Sequence, residues 1–386
     1  MTITQKKKTM NFELNDEQRA LQGSVERLLA DHYGFEQRRK LAASEAGHSA
    51  AVWRQLAVLG VTALPVPEAH GGFGGTAADL MPVMQAFGRA LVLEPFLASC
   101  VLGATALKLA ADAAACQRIL PRVATGETLL AWAHDEAGAR HAPCWLETRA
   151  TQHGGSWVLD GSKLNVLHAA VANHHVVSAR VAGAPDAPDG RALFLVDAHA
   201  TGLQLRSYRL VDDTPAGELH FQRVAATPLG DPADSQQSSA AIDGTLAAGI
   251  AAVCADMVGT MEAANTLTMD YLNTRKQFGR LIGENQALRH RAAEMLVSLE
   301  LARSMAIAAA VAADRPTVED SRADLHRAKL VIGRQARALC QLAIQLHGGI
   351  GMTEEYAVGH YLRRVHVLDQ LFGDSDAQAM RLAELL

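Results

Sequence analysis

From Asp243 to His347 the chain carries three long stretches of helical pattern: GTLAAGIAAVCADMVGTMEAANTLTMDYLNTRK, ENQALRHRAAEMLVSLELARSMAIAAAVAA and SRADLHRAKLVIGRQARALCQLAIQLH. Short connections join them, so neighbours must run antiparallel and bury their apolar stripes on one another. That dictates an up-and-down bundle. Asp243 supplies a side-chain oxygen that predicts the start of the first helix, and Gly348-Gly349 predicts the end of the third. EYAVGHYLRRVHVLDQLF and a short helix from Ser375 complete the bundle.

Upstream the pattern is helical again, then changes. Asn15 with Gln18 has the form of a capping box, and Leu21, Val25, Leu28 and Leu29 recur at helical spacing. SAAVWRQLAVLGVTAL repeats the pattern with Gly60 as its stop, and a glycine loop then feeds the helix in TAADLMPVMQAFGRALVLEPFLAS. Between about 126 and 235 short β-branched runs take over: WVL, LNVL, VVSARV, LFLVDA and ELHFQRV. Asp160-Gly161, inside SWVLDGSKLNV, predicts a type I′ hairpin turn, and AGAPDAPDGRA reads as a surface loop. The expected fold is α+β and mostly α: an N-terminal helical domain over 10–125, a middle β-barrel or sandwich over 126–235, and a C-terminal four-helix bundle over 236–386. Residues 1–9, MTITQKKKT, read as a disordered leader.

Composition excludes several function classes. At 386 residues and 49% apolar side chains the chain can bury one large core or two to three smaller ones. A net charge of −5 with both signs interspersed leaves no basic stripe for a nucleic acid. Cysteines 100, 116, 144, 254 and 340 are odd in number and widely spaced, which disfavours a disulfide framework or thiolate metal site and suits a reducing cytoplasm. His174-His175, and His360 with His366, lack a third ligand at useful spacing, so no metal site is expected. The polar NFELNDEQRALQ after the basic start argues against an export signal, and the apolar helices have amphipathic flanks, so no membrane span is expected.

Three segments carry a resemblance that covers essentially the whole chain. FELNDEQRAL with LGVTALPVPEAHGGFGGT, RKQFGRLIGENQALRHRAAEM (275–295) and QLHGGIGMTEEY (345–356) closely resemble the acyl-CoA dehydrogenase family. The most specific part is Arg-Lys-x-Phe-Gly with Gln286 eight residues after Phe278. The resemblance implies an FAD enzyme that oxidises an acyl-CoA thioester to the 2,3-enoyl-CoA. A base removes the α-proton, hydride leaves the β-carbon for the flavin, and the electrons pass to an electron-transferring flavoprotein. It further implies that Arg275 meets the FAD pyrophosphate with its forked donors, and that Gln277, Phe278 and Gln286 reach the cofactor from a neighbouring subunit. Gln345, Gly348 and Gly349 match the stretch whose backbone approaches the cofactor closely.

The same resemblance marks what is missing. Phe372 stands where the family keeps its catalytic glutamate, and Gly249 stands at the alternative position used by some members. Neither can accept a proton. Asp256 lies seven residues beyond Gly249, about 10 Å along a helix, and reads as a satisfied polar group inside the bundle. Asp374 and Asp376 are expected to face solvent or cap the last helix, and Phe372 to be buried with its ring in substrate space. Lys163 is followed by LNVL instead of the family's Trp-Ile-Thr/Ser, and AWAHDEAGAR lacks the usual Gly-Ser-Asp ending. The chain thus resembles the glutamate-lacking small subunits of heteromeric acyl-CoA dehydrogenases that act on dicarboxylic, steroid or other cyclic side chains, with a glutamate-bearing paralogue in an α2β2 assembly. Two alternatives stay open: a self-sufficient flavoenzyme with a relocated base or monooxygenase chemistry, and a non-catalytic structural subunit.

Overall fold

The computed structural model describes residues 14–110, 112–315 and 319–385; the leader expected over 1–9 lies outside them. The first domain contains α1 (Asp16–His32), α2 (Phe35–Ala43), α3 (Ala50–Val58), α4 (Ala77–Ala90), α5 (Ala104–Leu109) and α6 (Ala113–Ala124), with a π-helical turn over Leu97–Gly103 leading into α5. The capping box forms: Asn15 Oδ1 accepts from the Gln18 N–H at 2.8 Å, and Gln18 Oε1 accepts from the Asn15 N–H at 2.9 Å.

The middle of the chain forms β1 (Leu130–Ala133), β2 (Arg149–His153), β3 (Ser156–Leu167), β4 (His174–Arg180), β5 (Arg191–Asp197), β6 (Leu203–Arg209) and β7 (Pro215–Leu229). Pairings run from β4 through β2, β3, β7 and β5 back to β4, which closes a barrel; β1 adds to β4 and β6 adds to β7. Closure leaves few open edges and fills the inside with Leu159, Val177, Phe194, Leu219 and Val224. The hairpin expected at Asp160-Gly161 is elsewhere. Gly154 and Gly155, at φ 56° and 87°, turn β2 into β3, and Gly161 lies inside β3 at a register shift against β7. Its φ of 144° and the Thr148 backbone at 2.6 Å from an added Cβ explain the glycine as a strand irregularity.

The last domain contains α7 (Ser235–Thr274), a small hairpin of β8 (Lys276–Gln277) and β9 (Arg280–Leu281), then α8 (Gln286–Ala313), α9 (Glu319–His347), α10 (Val358–Gln370) and α11 (Ser375–Glu384). The helix expected from Asp243 begins two turns earlier. Asp234 accepts from the Gln237 N–H at 2.9 Å and so starts α7, while Asp243, inside the helix, pairs with Arg191 of the barrel at 3.4 Å. By length and composition α7 could cross a membrane, yet 83% of its apolar window is buried inside the fold, where it is the central helix. Asp374 caps α11 by accepting from the Ala377 N–H at 2.8 Å, and Asp376 is exposed, as expected of them.

One buried cluster ties the three parts together. Arg364 of α10 donates to Asp256 of α7 at 3.2 and 2.5 Å, and to Asp212 and Thr214 of the turn before β7 at 3.0 and 3.1 Å. Arg38 of α2 reaches the same turn, donating to the Asp212 carbonyl and to Asp213 at 2.5 Å. Asp256 is therefore the satisfied polar group that its sequence position predicts. Arg364→Met should leave two buried carboxylates without their partner and destabilise the protein by about 3–5 kcal/mol in urea unfolding.

Glu94 is 5% exposed. One carboxylate oxygen accepts from the Ser49 N–H at 3.1 Å, and the other has no hydrogen-bond partner among the described residues. Burial pushes its pKa up to about 7. A carboxyl with a raised folded-state pKa favours folding at low pH, and that contribution is lost as pH rises through about 4.5 to 7. Glu94→Gln should therefore stabilise the protein at pH 8 by up to about 3 kcal/mol and by almost nothing at pH 4.5, measured by urea unfolding across pH.

Candidate functional site

Barrel and bundle face each other across a cleft of about 520 Å³, a volume suited to a small organic ligand. The bundle wall is mostly apolar, with Leu246 and Ile250 from α7, Val367 and Leu371 at the end of α10 and the Phe372 ring, but it also carries His366, Gln370 and Arg381. The barrel wall is polar and is built by the segment that leaves β1, with Asn165 of β3.

Alternation along that segment sorts its side chains. His134 and Glu136 point inward and Asp135 opens to the cleft. Lys163, 0% exposed, donates to Glu136 at 2.7 Å, to the His134 carbonyl at 2.9 Å and to Ser178 at 3.2 Å. Burial alone would raise the Glu136 carboxyl, but Lys163 and the backbone N–H groups of Glu147 and Thr148 hold its pKa below the ordinary value. Burial and the neighbouring Lys163 push the His134 imidazole down to about 3, so it stays neutral. The pair is a structural peg, and it leaves Asp135 as the carboxylate presented to the cleft. Surrounding protein raises the Asp135 carboxyl, opposed by the positive charges of Lys163, His141 and Arg381. The Trp145 indole N–H, another lining group, is buried without a hydrogen-bond partner among the described residues, as a donor awaiting a ligand acceptor would be.

Phe372 and Gly249, the two positions where the resemblance led a base to be expected, are neighbours at this cleft. Phe372 is half-buried, not buried as expected, because one side of its ring lines the open space. Its other side lies over Gly249: a Cβ there would fall 2.7 Å from Phe372 Cζ and 2.9 Å from Leu102. Phe372 has φ 63°, a strained conformation for a residue with a side chain, and is followed by Gly373 at 95°. The turn is pinned. Arg381 and Gln378 donate to the Phe372 carbonyl at 3.0 and 2.9 Å, and Lys329 donates to the carbonyls of Asp369 and Gly373 at 2.7 and 3.3 Å.

The residues expected at FAD are absent from the cleft lining. Arg275 ends α7, and Gln277 and Phe278 lie on the β8–β9 hairpin, with Phe278 99% exposed at φ 54°. Gln286 begins α8, Gln345 is on the last turn of α9, and Gly348 and Gly349 follow it; all are exposed. The Arg275 side chain has no partner among the described residues. An added Cβ at Gly349 would meet nothing within 4 Å, so no contact among the described residues requires the glycine. A free guanidinium and an open backbone fit a pyrophosphate brought from outside the chain. From Ile250 to Arg275, α7 spans roughly 38 Å. Arg275 therefore lies far from the cleft of its own chain.

Sequence reasoning missed Asp135, Trp145 and Arg381. Strand alternation in AWAHDE could have exposed Asp135 as the outward residue, but the approach of Arg381 to residue 372 has no local signal.

Comparison with known proteins bears on the family and the fold. Family descriptions match in order along the chain: Acyl-CoA dehydrogenase, N-terminal domain over residues 15–127, middle domain over 130–224 and C-terminal domain over 240–386. The chain is similar to the probable acyl-CoA dehydrogenase YngJ of Bacillus subtilis, 28% identical over 98% of this chain and 100% of the relative. Among solved structures it resembles a variant of the Tcur3481-Tcur3483 steroid ACAD, with TM-score 0.84 and 29% identity over 96% of this chain and 97% of that one. The ChsE4-ChsE5 complex from Mycobacterium tuberculosis shares the fold, with TM-score 0.84 and 23% identity over 97% and 98% of the two chains. FAD is the cofactor typical of this fold. Three consecutive domain matches and a matching architecture lead to one statement: the chain belongs to the acyl-CoA dehydrogenase family.

Proposed function

We propose that this chain is one half of a heteromeric, FAD-dependent acyl-CoA dehydrogenase. It lends its Arg275 arm to a flavin whose catalytic base comes from a glutamate-bearing paralogous chain in an α2β2 assembly. The observation that carries this reading is the pairing of a cleft whose two base positions hold Phe372 and Gly249 with an arm roughly 38 Å away along α7. A self-sufficient homo-oligomer would need both parts intact in every copy. Here only the arm keeps the expected residues.

FAD, when bound, accepts the hydride that leaves the β-carbon of the acyl group. Arg275 would hold the pyrophosphate with two parallel N–H donors, Gln277 and Gln286 would donate to its polar edge, and Phe278 would gain the cover it lacks in the single chain. Gly348 and Gly349 would admit the cofactor against the backbone, with Gln345 beside them. The acyl-CoA lies in the partner's cleft, where its α-proton is taken, and an electron-transferring flavoprotein is the acceptor. The steroid ACAD similarity supports a bulky cyclic acyl group as substrate, and the cytoplasm is the compartment proposed.

A second reading, a self-sufficient flavoenzyme with a relocated base, is favoured by one observation. Asp135 is a carboxylate open to the cleft, with no hydrogen bond of its own among the described residues.

Purified alone, the chain should form no enoyl-CoA from a panel of acyl-CoA thioesters, and Phe372→Glu should not change that. With a glutamate-bearing paralogue co-expressed it should form a complex holding one FAD per pair of chains and turn over. Turnover by the chain alone, abolished in Asp135→Asn, would replace the first reading by the second. In the complex, Arg275→Ala should weaken FAD binding by about 10- to 100-fold, from a lost charged hydrogen bond of roughly 1.5–3 kcal/mol, measured as flavin retained on dialysis.

A further inference from the structure

A second hollow, of about 240 Å³, lies between α7, α4 and α5. Its walls include Leu80, Met81, Ala248 and Ala252. Successive helix residues turn by about 100°, so on α7 Leu246 and Ile250 face the cleft, Ala248 and Ala252 face the second hollow, and Gly249 falls between the two directions. The Phe372 ring and Leu102 occupy that intermediate position, close enough that a methyl group on Gly249 would force one of these side chains to shift. Phe372 packs at once against the core of the N-terminal domain and against that of the bundle.

We propose that Phe372 and Gly249 are a matched steric plug that closes the inner end of this chain's cleft, so that the cleft rejects acyl chains long enough to run past α7 into the second hollow. The proposal deepens the reading of this chain as the silent half of the enzyme, and rests on it for its biological meaning. Its physical content is separate. The ring fills the passage because glycine at 249 leaves room for it, and it is confined there by packing against the cores of both the N-terminal domain and the bundle, on a backbone that is itself pinned. Arg381 and Gln378 hold the carbonyl of residue 372, and Lys329 holds the carbonyls on either side of the turn. The left-handed backbone at 372 is one that glycine adopts without strain, so Phe372→Gly removes the ring while preserving the turn. A short group such as acetyl ends before the plug. An octanoyl chain carries six more methylene groups and would need the space beyond it.

Two measurements on the purified full-length chain test the plug. The first is a double-mutant cycle. Gly249→Ala should lower the melting temperature by more than about 3 °C in the wild-type background and by less than about 1 °C in the Phe372→Gly background, where Leu102 can shift into the vacated space. Equal loss in both backgrounds would overturn the matched pair. The second is calorimetric titration with octanoyl-CoA and acetyl-CoA. Wild type should show no preference for the longer chain, whereas Phe372→Gly should bind octanoyl-CoA at least tenfold tighter than wild type does, since each buried methylene contributes roughly fourfold. Equal octanoyl-CoA affinity in the two proteins, including no binding by either, would overturn the closure. Neither measurement involves flavin, a partner chain or turnover. A plug that fails leaves the heteromeric assignment standing, and a chain that turns over alone can still carry the plug.

Discussion

The N-terminal domain, the barrel and the bundle are tied to one another by two buried arginines converging on one turn. Arg364 comes from the bundle and Arg38 from the N-terminal domain, and both close on residues 212–214 of the barrel. Removing these charges from water is costly, and the cost is offset because every donor in the cluster finds a carboxylate, carbonyl or hydroxyl at hydrogen-bond distance. The arrangement tolerates no sliding, since a displaced domain would strand a charge in the interior. Three domains joined by ordinary loops thereby become one rigid frame, and the cleft keeps its width.

Within that frame the last turn of α10 is held with unusual thoroughness. Residue 372 adopts a conformation that disfavours a side chain, and three side chains from α9 and α11 secure the carbonyls around it. A surrounding structure that over-determines a strained residue marks a place where the orientation of that residue matters. Here the oriented group is a phenyl ring with no proton to exchange. The turn presents a side chain to the cleft, and that side chain is apolar.

Much of this was legible in the sequence because it is local. Helix periodicity gave the bundle and the N-terminal helices, the capping box at Asn15 formed as its spacing requires, and Asp374 caps α11. The errors arose where two sites of equal local merit compete. Asp160-Gly161 and Gly154-Gly155 can both turn a hairpin, and the choice is made by β7, which pairs with β3 on both sides of Gly161. Asp234 and Asp243 can both cap a helix, and the upstream residue wins because β7 ends at Leu229, leaving the chain free to coil at once. The cleft was legible through Phe372 and Gly249 as positions, but not as neighbours. Their contact joins residues more than a hundred positions apart, and no pattern within either segment announces it.

Continuity of α7 sets a further constraint. Cleft and arm sit on one uninterrupted helix, so the segment between them behaves as a ruler with a fixed phase. Inserting a single residue between Val253 and Leu272 would lengthen the span by about 1.5 Å and swing the guanidinium around the axis by about 100°. Length variation in this gene should therefore gather in the loop over 182–190 and stay out of α7, whose residue number is as much a part of the proposed cofactor clamp as Arg275 itself.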